Sequence, residues 1–232
     1  MSDVIGIIGA MDSEISAIYE KMTSKEIVEI NQIKFYKGLL FGKNVVVIKC
    51  GIGKVNAALC TQLLILKFDV KKIINTGIAG AVGNSLNIYD FVISTQTVYH
   101  DFDTQFFGYK LGQVPGLPEK FDADSKMIEL ASSAFEKSEL SKNHKIQKGL
   151  IASGDQFISG GEKKENIVKN FHPLCVEMEG CAVAHACYLL KIPFVIIRCM
   201  SDCADDTVKI SYEEEKASKL SSDFLLEVIN EI

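Results

Sequence analysis

The sequence predicts one α/β domain, a three-layer α/β/α sandwich with helices on both faces of a largely parallel or mixed sheet. Three observations predict it. Apolar runs of strand length alternate with segments of helical periodicity along the whole chain. The first run, residues 4–10, is continuously apolar, as central strands covered on both faces are. No repeat, low-complexity tract or linker breaks the alternation, so residues 1–232 read as a single domain.

Taken in order, Val4-Ile5-Gly6-Ile7-Ile8-Gly9-Ala10 is the first strand. Met11-Asp12-Ser13-Glu14 then opens a helix with Ile15, Ile18 and Met22 on its inner side. Residues 34–40 and 44–50 form a hairpin around Phe41-Gly42-Lys43. Gly51-Ile52-Gly53-Lys54 leads into a helix over 55–67. A strand over 72–76 ends in Gly77-Ile78-Ala79-Gly80, and another spans 88–98. Residues 104–120 form a long loop with Phe106, Phe107, Tyr109, Pro115 and Pro118. A structureless stretch of that length marks function or an interface.

Met127, Leu130, Ala131 and Phe135 recur at helical spacing over 124–139. A strand over 146–152 and a polar, solvated helix over 161–170 follow. Leu174-Cys175-Val176 reads as a short buried strand, and the small residues after Gly180 as a helix. If that strand persists through both acids, Glu177 and Glu179 point into one cleft, because side chains two apart share a face. A strand over 193–200 and a closing helix over 212–232 complete the chain.

Composition bounds the function. Hydrophobic residues make up 47% and charged residues 24%, as in an ordinary globular protein. A net charge of −5 without long basic runs disfavours nucleic acid as a partner. No apolar run reaches transmembrane length, and Met1-Ser2-Asp3 lacks the basic start of a secretory signal. A cytoplasmic protein with no membrane partner is therefore expected. The seven cysteines lie mostly inside apolar segments and read as reduced, buried thiols. Without a CxxC pair or HExxH, no metal is expected. Without GxGxxG or GxxxxGK[ST], neither is a nucleotide cofactor.

Ligands of such sheets bind beyond the carboxyl ends of the strands. Glu14 follows the first strand, Gly51-Ile52-Gly53 the hairpin, and Gly77-Ile78-Ala79-Gly80 the next strand. Ser153-Gly154-Asp155-Gln156-Phe157-Ile158, Met178-Glu179-Gly180 and Met200-Ser201-Asp202 follow later ones. Glycines let a backbone approach a ligand closely. Three acids (Glu14, Glu179, Asp202) beside apolar Met11, Ile52, Phe157 and Met178 suit a neutral ligand with hydroxyls and a flat ring. Two carboxyl groups on opposite sides of a sugar are what glycosidic hydrolysis requires. Each residue has a structural rival. Glu14 could be a first-turn helix acid, Asp202 a turn cap and Arg198 the buried partner of Glu177 or Glu179. Phe157 and Met178 could be core.

Several motifs coincide along the chain. They are Ile7-Ile8-Gly9-Ala10-Met11 with Glu14, Gly51-Ile52-Gly53-Lys54-Val55, Ile74-Asn75-Thr76-Gly77 and Tyr99-His100-Asp101. Phe107-Gly108-Tyr109, Ser153-Gly154-Asp155, Val176-Glu177-Met178-Glu179 and Arg198 with Ser201-Asp202 follow. On these the sequence resembles the 5′-methylthioadenosine/S-adenosylhomocysteine nucleosidases of the nucleoside phosphorylase superfamily, over almost its whole length. The resemblance implies a nucleoside phosphorylase-like fold around a central twisted mixed sheet, and a cofactor-free hydrolase. It would release adenine from 5′-methylthioadenosine, S-adenosylhomocysteine and 5′-deoxyadenosine, in methionine salvage and methyl-cycle metabolism.

It also implies roles for residues. Glu14 is the base that activates water, kept ionised with the help of Arg198. Asp202 is the acid serving purine N7, oriented by Ser201. Glu179 holds the ribose hydroxyls beside Met178. Phe157 stacks on adenine, and the backbone at Ile158 reads its edge. Met11, Ile52, Ala79, Gly80 and Glu177 complete the pocket. Ile78 stands where a Ser is usual, and Tyr212 where a Phe is usual beside the 5′ group. A homodimer is implied, with Phe107 and Pro115 lining the neighbouring site. An adenine-nucleoside phosphorylase, an aminofutalosine-type nucleosidase and a non-catalytic nucleoside-binding protein are the alternatives. The first needs cations near the first glycine loop, and the last should have lost one of the three acids.

Overall fold

A computed structural model describes residues 3–83, 85–205 and 212–232. Its strands are β1 (Val4–Gly9), β2 (Thr23–Ile30), β3 (Ile33–Leu40), β4 (Lys43–Lys49) and β5 (Val70–Ala81). Then come β6 (Phe91–Tyr99), β7 (Phe121–Asp122), β8 (Ile146–Ser153), β9 (Cys175–Glu177) and β10 (Phe194–Asp202). The helices are α1 (Asp12–Lys21), α2 (Lys54–Phe68), α3 (Ser125–Lys137), α4 (Gly161–Phe171), α5 (Gly180–Leu190) and α6 (Glu214–Glu231).

All ten strands join one mixed sheet, ordered β10-β6-β8-β9-β5-β1-β4-β3-β2, with β7 on β6. β10 also pairs with β5, so β5, β9, β8, β6 and β10 close into a ring, while β1, β4, β3 and β2 extend from it as a wing. β1 and β10 both run parallel to β5. Their carboxyl ends therefore emerge side by side. β9 crosses β5 antiparallel at Gly80 and Ala81, which brings the end of β9 to the same place.

Apolar side chains fill both faces of the sheet. α2 and α5 cover one, through Ala57, Leu64, Val183 and Cys187. α1, α3 and α6 cover the other, through Ile15, Ile18, Ala131, Phe135, Phe224 and Leu225. Helix α3 carries Met127, Ala131 and Phe135 inward as its periodicity predicts, and Asp124 caps it by accepting from Met127 N at 2.9 Å. Among the described residues, no helix is long and apolar enough to cross a membrane. All seven cysteines are free, five of them buried.

The structure departs from the sequence expectations in four places. β2 was not expected: its Thr-Ser-Lys-Glu start is polar and exposed, as suits the outer edge of the wing. β5 does not stop at Thr76 but runs on through Gly77, Ile78, Ala79 and Gly80, held by β10 and β9. β6 starts at Phe91 rather than 88, because Asp90 accepts the N–H of Asn87 in a turn before it. The fourth is β9, which ends at Glu177 and so separates the two acids that a longer strand would have aligned.

Candidate active site

The cleft is built where β1, β5, β9 and β10 end. Helix α1 starts two residues beyond β1, which places Glu14 at its third position. From there the carboxyl group folds back over the turn. Glu14 Oε2 accepts Ala10 N at 2.6 Å and Met11 N at 3.1 Å, and Oε1 accepts Ile78 N at 3.0 Å. The helix-cap reading of Glu14 is therefore correct, and the same bonds hold it at the cleft. Burial pushes its pKa up, against the charge of Arg198 and the three N–H donors. Arg198 favours the ionised form of Glu14, as expected, but burial outweighs that help.

Asp202 closes β10, nearly fully buried. Its Oδ1 accepts Ala204 N at 2.7 Å, and the Ser201 hydroxyl donates to its Oδ2 at 2.8 Å. So the turn-cap rival also holds for Asp202, and Ser201 orients it as the family resemblance implies. The glycines of β5 make room for both acids. A Cβ at Gly77 would collide with the Glu14 carboxyl group, and one at Gly80 would lie 2.9 Å from Asp202 Oδ1.

Glu177 and Glu179 part company. Glu177 contributes to the cleft wall but turns its carboxylate into the protein. It pairs with Arg198 Nη2 at 2.5 Å and accepts Glu179 N at 3.0 Å, Gly180 N at 2.7 Å and the Ser153 hydroxyl. Burial raises its pKa, but Arg198, the Ser153 hydroxyl and the Gly180 N–H together hold it below the usual carboxylate range. Arg198 is 2% exposed and does not line the cleft. It also donates to Asn75 Oδ1 at 2.5 Å. It lies behind the wall, as the buried-partner reading had it, and reaches Glu14 through its charge alone.

Glu179 leaves the strand and sits at the start of α5, where its Oε1 accepts Gly53 N at 2.7 Å. Burial first, and then the charge of Glu177, push its pKa up to about 8.

Together these elements enclose a cleft that opens to solvent at its mouth. Met11, Ile52, Ile78, Ala79, Gly80, Phe157, Ile158, Met178, Ser201 and Tyr212 line it, as the sequence predicts, with Glu14, Glu179 and Asp202. Phe157 and Tyr212 are not core: both are exposed, their rings edge-on with centroids 6.0 Å apart. Phe107 and Pro115 lie on the exposed loop and do not line this chain's cleft.

Sequence reasoning missed Asn75 and Ser153, the partners of Arg198 and Glu177, and also Ala10, Gln156 and Val176 in the lining. Asn75 had left a signal. A polar residue inside an apolar strand needs a buried partner, and Asn75 stands between Ile74 and Thr76 with Arg198 still to be paired.

The family model for the phosphorylase superfamily matches residues 4–230. The chain is 45% identical to a 5′-methylthioadenosine/S-adenosylhomocysteine nucleosidase of Staphylococcus carnosus, over 99% of this chain and all of that one. Among solved structures it is similar to the nucleosidase of that name from Neisseria meningitidis in complex with methylthio-immucillin-A. That match has a TM-score of 0.95 and 39% identity, covering 99% of this chain and 100% of that one. The Colwellia psychrerythraea nucleosidase in complex with adenine matches equally well, with a TM-score of 0.95 and 39% identity, covering 100% of this chain and 96% of that one.

Proposed function

The chain belongs to the phosphorylase superfamily, and within it we infer that it is a hydrolase of 5′-methylthioadenosine and S-adenosylhomocysteine. It cleaves their N-glycosidic bond and releases adenine and the 5′-thioribose product. One observation carries the reading. Glu14, Glu179 and Asp202 converge on a single cleft with an exposed aromatic ring at its side, and no Lys or Arg is among its described lining residues. A phosphate nucleophile would meet acids there, whereas water needs only a base.

The roles of the residues follow from what each carboxyl group has left to offer. Glu14 Oε1 holds one backbone N–H, which leaves a lone pair for a water molecule. Its raised pKa makes it a stronger base than an ordinary glutamate once ionised. Asp202, held by Ser201 and Ala204, delivers a proton to the departing purine. Glu179 Oε2 accepts from the ribose hydroxyls while Gly53 N–H holds Oε1. Phe157 and Tyr212 cover the ligand, and Ile78 packs where it holds Glu14 by its N–H. The same geometry suits 5′-deoxyadenosine, whose smaller 5′ group demands nothing further of the cleft.

We propose further that two copies pair, with Phe107 and Pro115 of each reaching the 5′ end of the other's cleft. Phe107 is 73% exposed and Phe106 93%, which supports a covered surface.

The test is adenine release in phosphate-free buffer, with 5′-methylthioadenosine, S-adenosylhomocysteine, 5′-deoxyadenosine and aminofutalosine as separate substrates. The free 5′-substituted ribose (5-deoxyribose from 5′-deoxyadenosine) is expected, at a rate that neither phosphate nor a chelator changes. A sugar 1-phosphate that appears on adding phosphate would replace hydrolysis by phosphorolysis. No adenine at all would leave a binding protein.

A further inference from the structure

Glu179 depends on a turn that something else must hold. Among the described residues of the first half of the chain, the hydrogen bond to its carboxyl group comes from the N–H of Gly53, the residue just before α2. Gly53 has φ +99° and Gly51 φ +85°, so this turn has little intrinsic stiffness. Gly51 N donates to Ala10 O at 3.1 Å and Asn56 Nδ2 to Ile52 O at 2.7 Å, and further ties lie outside the cleft. Lys54 Nζ is 2.6 Å from both carboxylate oxygens of Asp101 and 3.7 Å from Asp155 Oδ2. Lys54 N donates to Asp155 Oδ1 at 2.8 Å, and Asp155 N to Asp101 Oδ2 at 2.8 Å.

The ion pair is sheltered. Lys54 and Asp101 side chains are mostly buried, and the ammonium lies 5.4 Å from the Tyr99 ring centroid. Sheltered, bidentate and hydrogen-bonded pairs are the kind whose geometry is kept. Asp101 follows β6, Asp155 follows β8 and Lys54 opens α2, so the three join ends of separate elements.

We propose that Lys54 and Asp101, with Asp155, are positioning residues for the reaction. Their ion pair pins the 51–54 turn so that Gly53 N–H holds the Glu179 carboxyl group at the ribose hydroxyls. None of the three lines the cleft, and the inference rests on the reading of Glu179 as the ribose acceptor. It makes a specific demand. Loosening the Lys54–Asp101 pair must weaken recognition of the sugar more than recognition of the base, because Asp202 follows β10 and only Asp155 shares its segment with Phe157.

The experiment compares Lys54→Met with the parent enzyme, reading KM and kcat for 5′-methylthioadenosine and the inhibition constant of free adenine. KM is expected to rise about tenfold or more, the scale of one charge-assisted hydrogen bond. The adenine constant should stay within about twofold, and Lys54→Arg should restore most of the loss. Asp101→Asn, which removes one charge of the same ion pair, should shift KM the same way by less, and provides the test if Lys54→Met does not fold. A KM that does not move, or adenine inhibition that weakens in step with KM, overturns the proposal. The failure of the underlying reading looks different: Glu179→Gln itself would then leave KM for 5′-methylthioadenosine unchanged.

Discussion

Glu14 caps α1 and faces the cleft with one carboxyl group, and Asp202 caps the turn after β10 with another. At this scale a structural role and a chemical one are not rivals, since the bonds that cap also aim. Glu14→Gln and Asp202→Asn should each lower kcat by ~10²–10⁴-fold with KM little changed. A substrate whose leaving group departs without a proton separates them. It should rescue Asp202→Asn and not Glu14→Gln, and equal rescue of both would mean the acid and base are misassigned. Glu179 carries a second expectation, in pH. Its pKa is raised from 4.5 to about 8, so its contribution to stability is present below 4.5 and is lost as pH rises through about 8. Glu179→Gln should therefore match the parent's Tm near ~pH 4 and exceed it near ~pH 9. Ribose hydroxyls donating to this group favour its ionised form, so nucleoside binding at neutral pH should release a proton. Calorimetry in buffers of different ionisation enthalpy would detect it. The three acids were legible in the sequence because each follows an apolar strand. The pairing of Glu177 with Arg198 rather than with the ligand was left open, because it depends on Ser153 and Asn75 arriving from two other strands.

Among the elements, β5 decides the shape of the cleft. Its glycines read in the sequence as a loop beyond a strand, since Gly is a poor strand former. Pairing with β10 and β9 overrides that preference and carries the strand on to Ala81. Gly77 is needed there for space rather than for freedom, because the Glu14 carboxyl group occupies the place of its missing Cβ. Gly77→Ala should displace Glu14 and lower kcat by about 10²-fold, the scale of losing a general base. The overpacking itself should cost about 1–3 kcal/mol, visible as a lower Tm without loss of folding. A Gly77→Ala enzyme with parental kcat would show that Glu14 can move without consequence, against its role as base. Helices α1 and α3 were legible because one apolar stripe dictates them. β2 was not, because an exposed edge strand has no apolar face to announce it.

Across the whole molecule, one side is more apolar than a lone soluble chain tolerates. On α2, Val55 is 70% exposed and Leu66 62%. Leu59 of the same helix and Tyr188 and Leu189 of α5 are also exposed, and the loop adds Phe106 and Phe107. Helices α2 and α5 pack against each other, and a groove lined by Leu59, Tyr99, His185 and Leu189 runs between them. The sequence pointed to the loop alone, since exposed apolar residues on a helix look like core until the fold shows what they face. Contiguous apolar patches of this kind mark an association surface. A second copy on this face would carry the proposed pairing, since Ile52 at the cleft lies just before α2. Sedimentation should therefore give twice the chain mass at assay concentration. Leu59→Glu with Leu189→Glu, placing acids on the facing helices, should yield folded monomers with a raised KM for S-adenosylhomocysteine. Phe107→Ala should leave the dimer intact and raise KM chiefly for substrates with large 5′ groups, with adenine inhibition unchanged. A fully active monomer would remove the shared site, and with it any role for Phe107 and Pro115 at the 5′ end of the ligand.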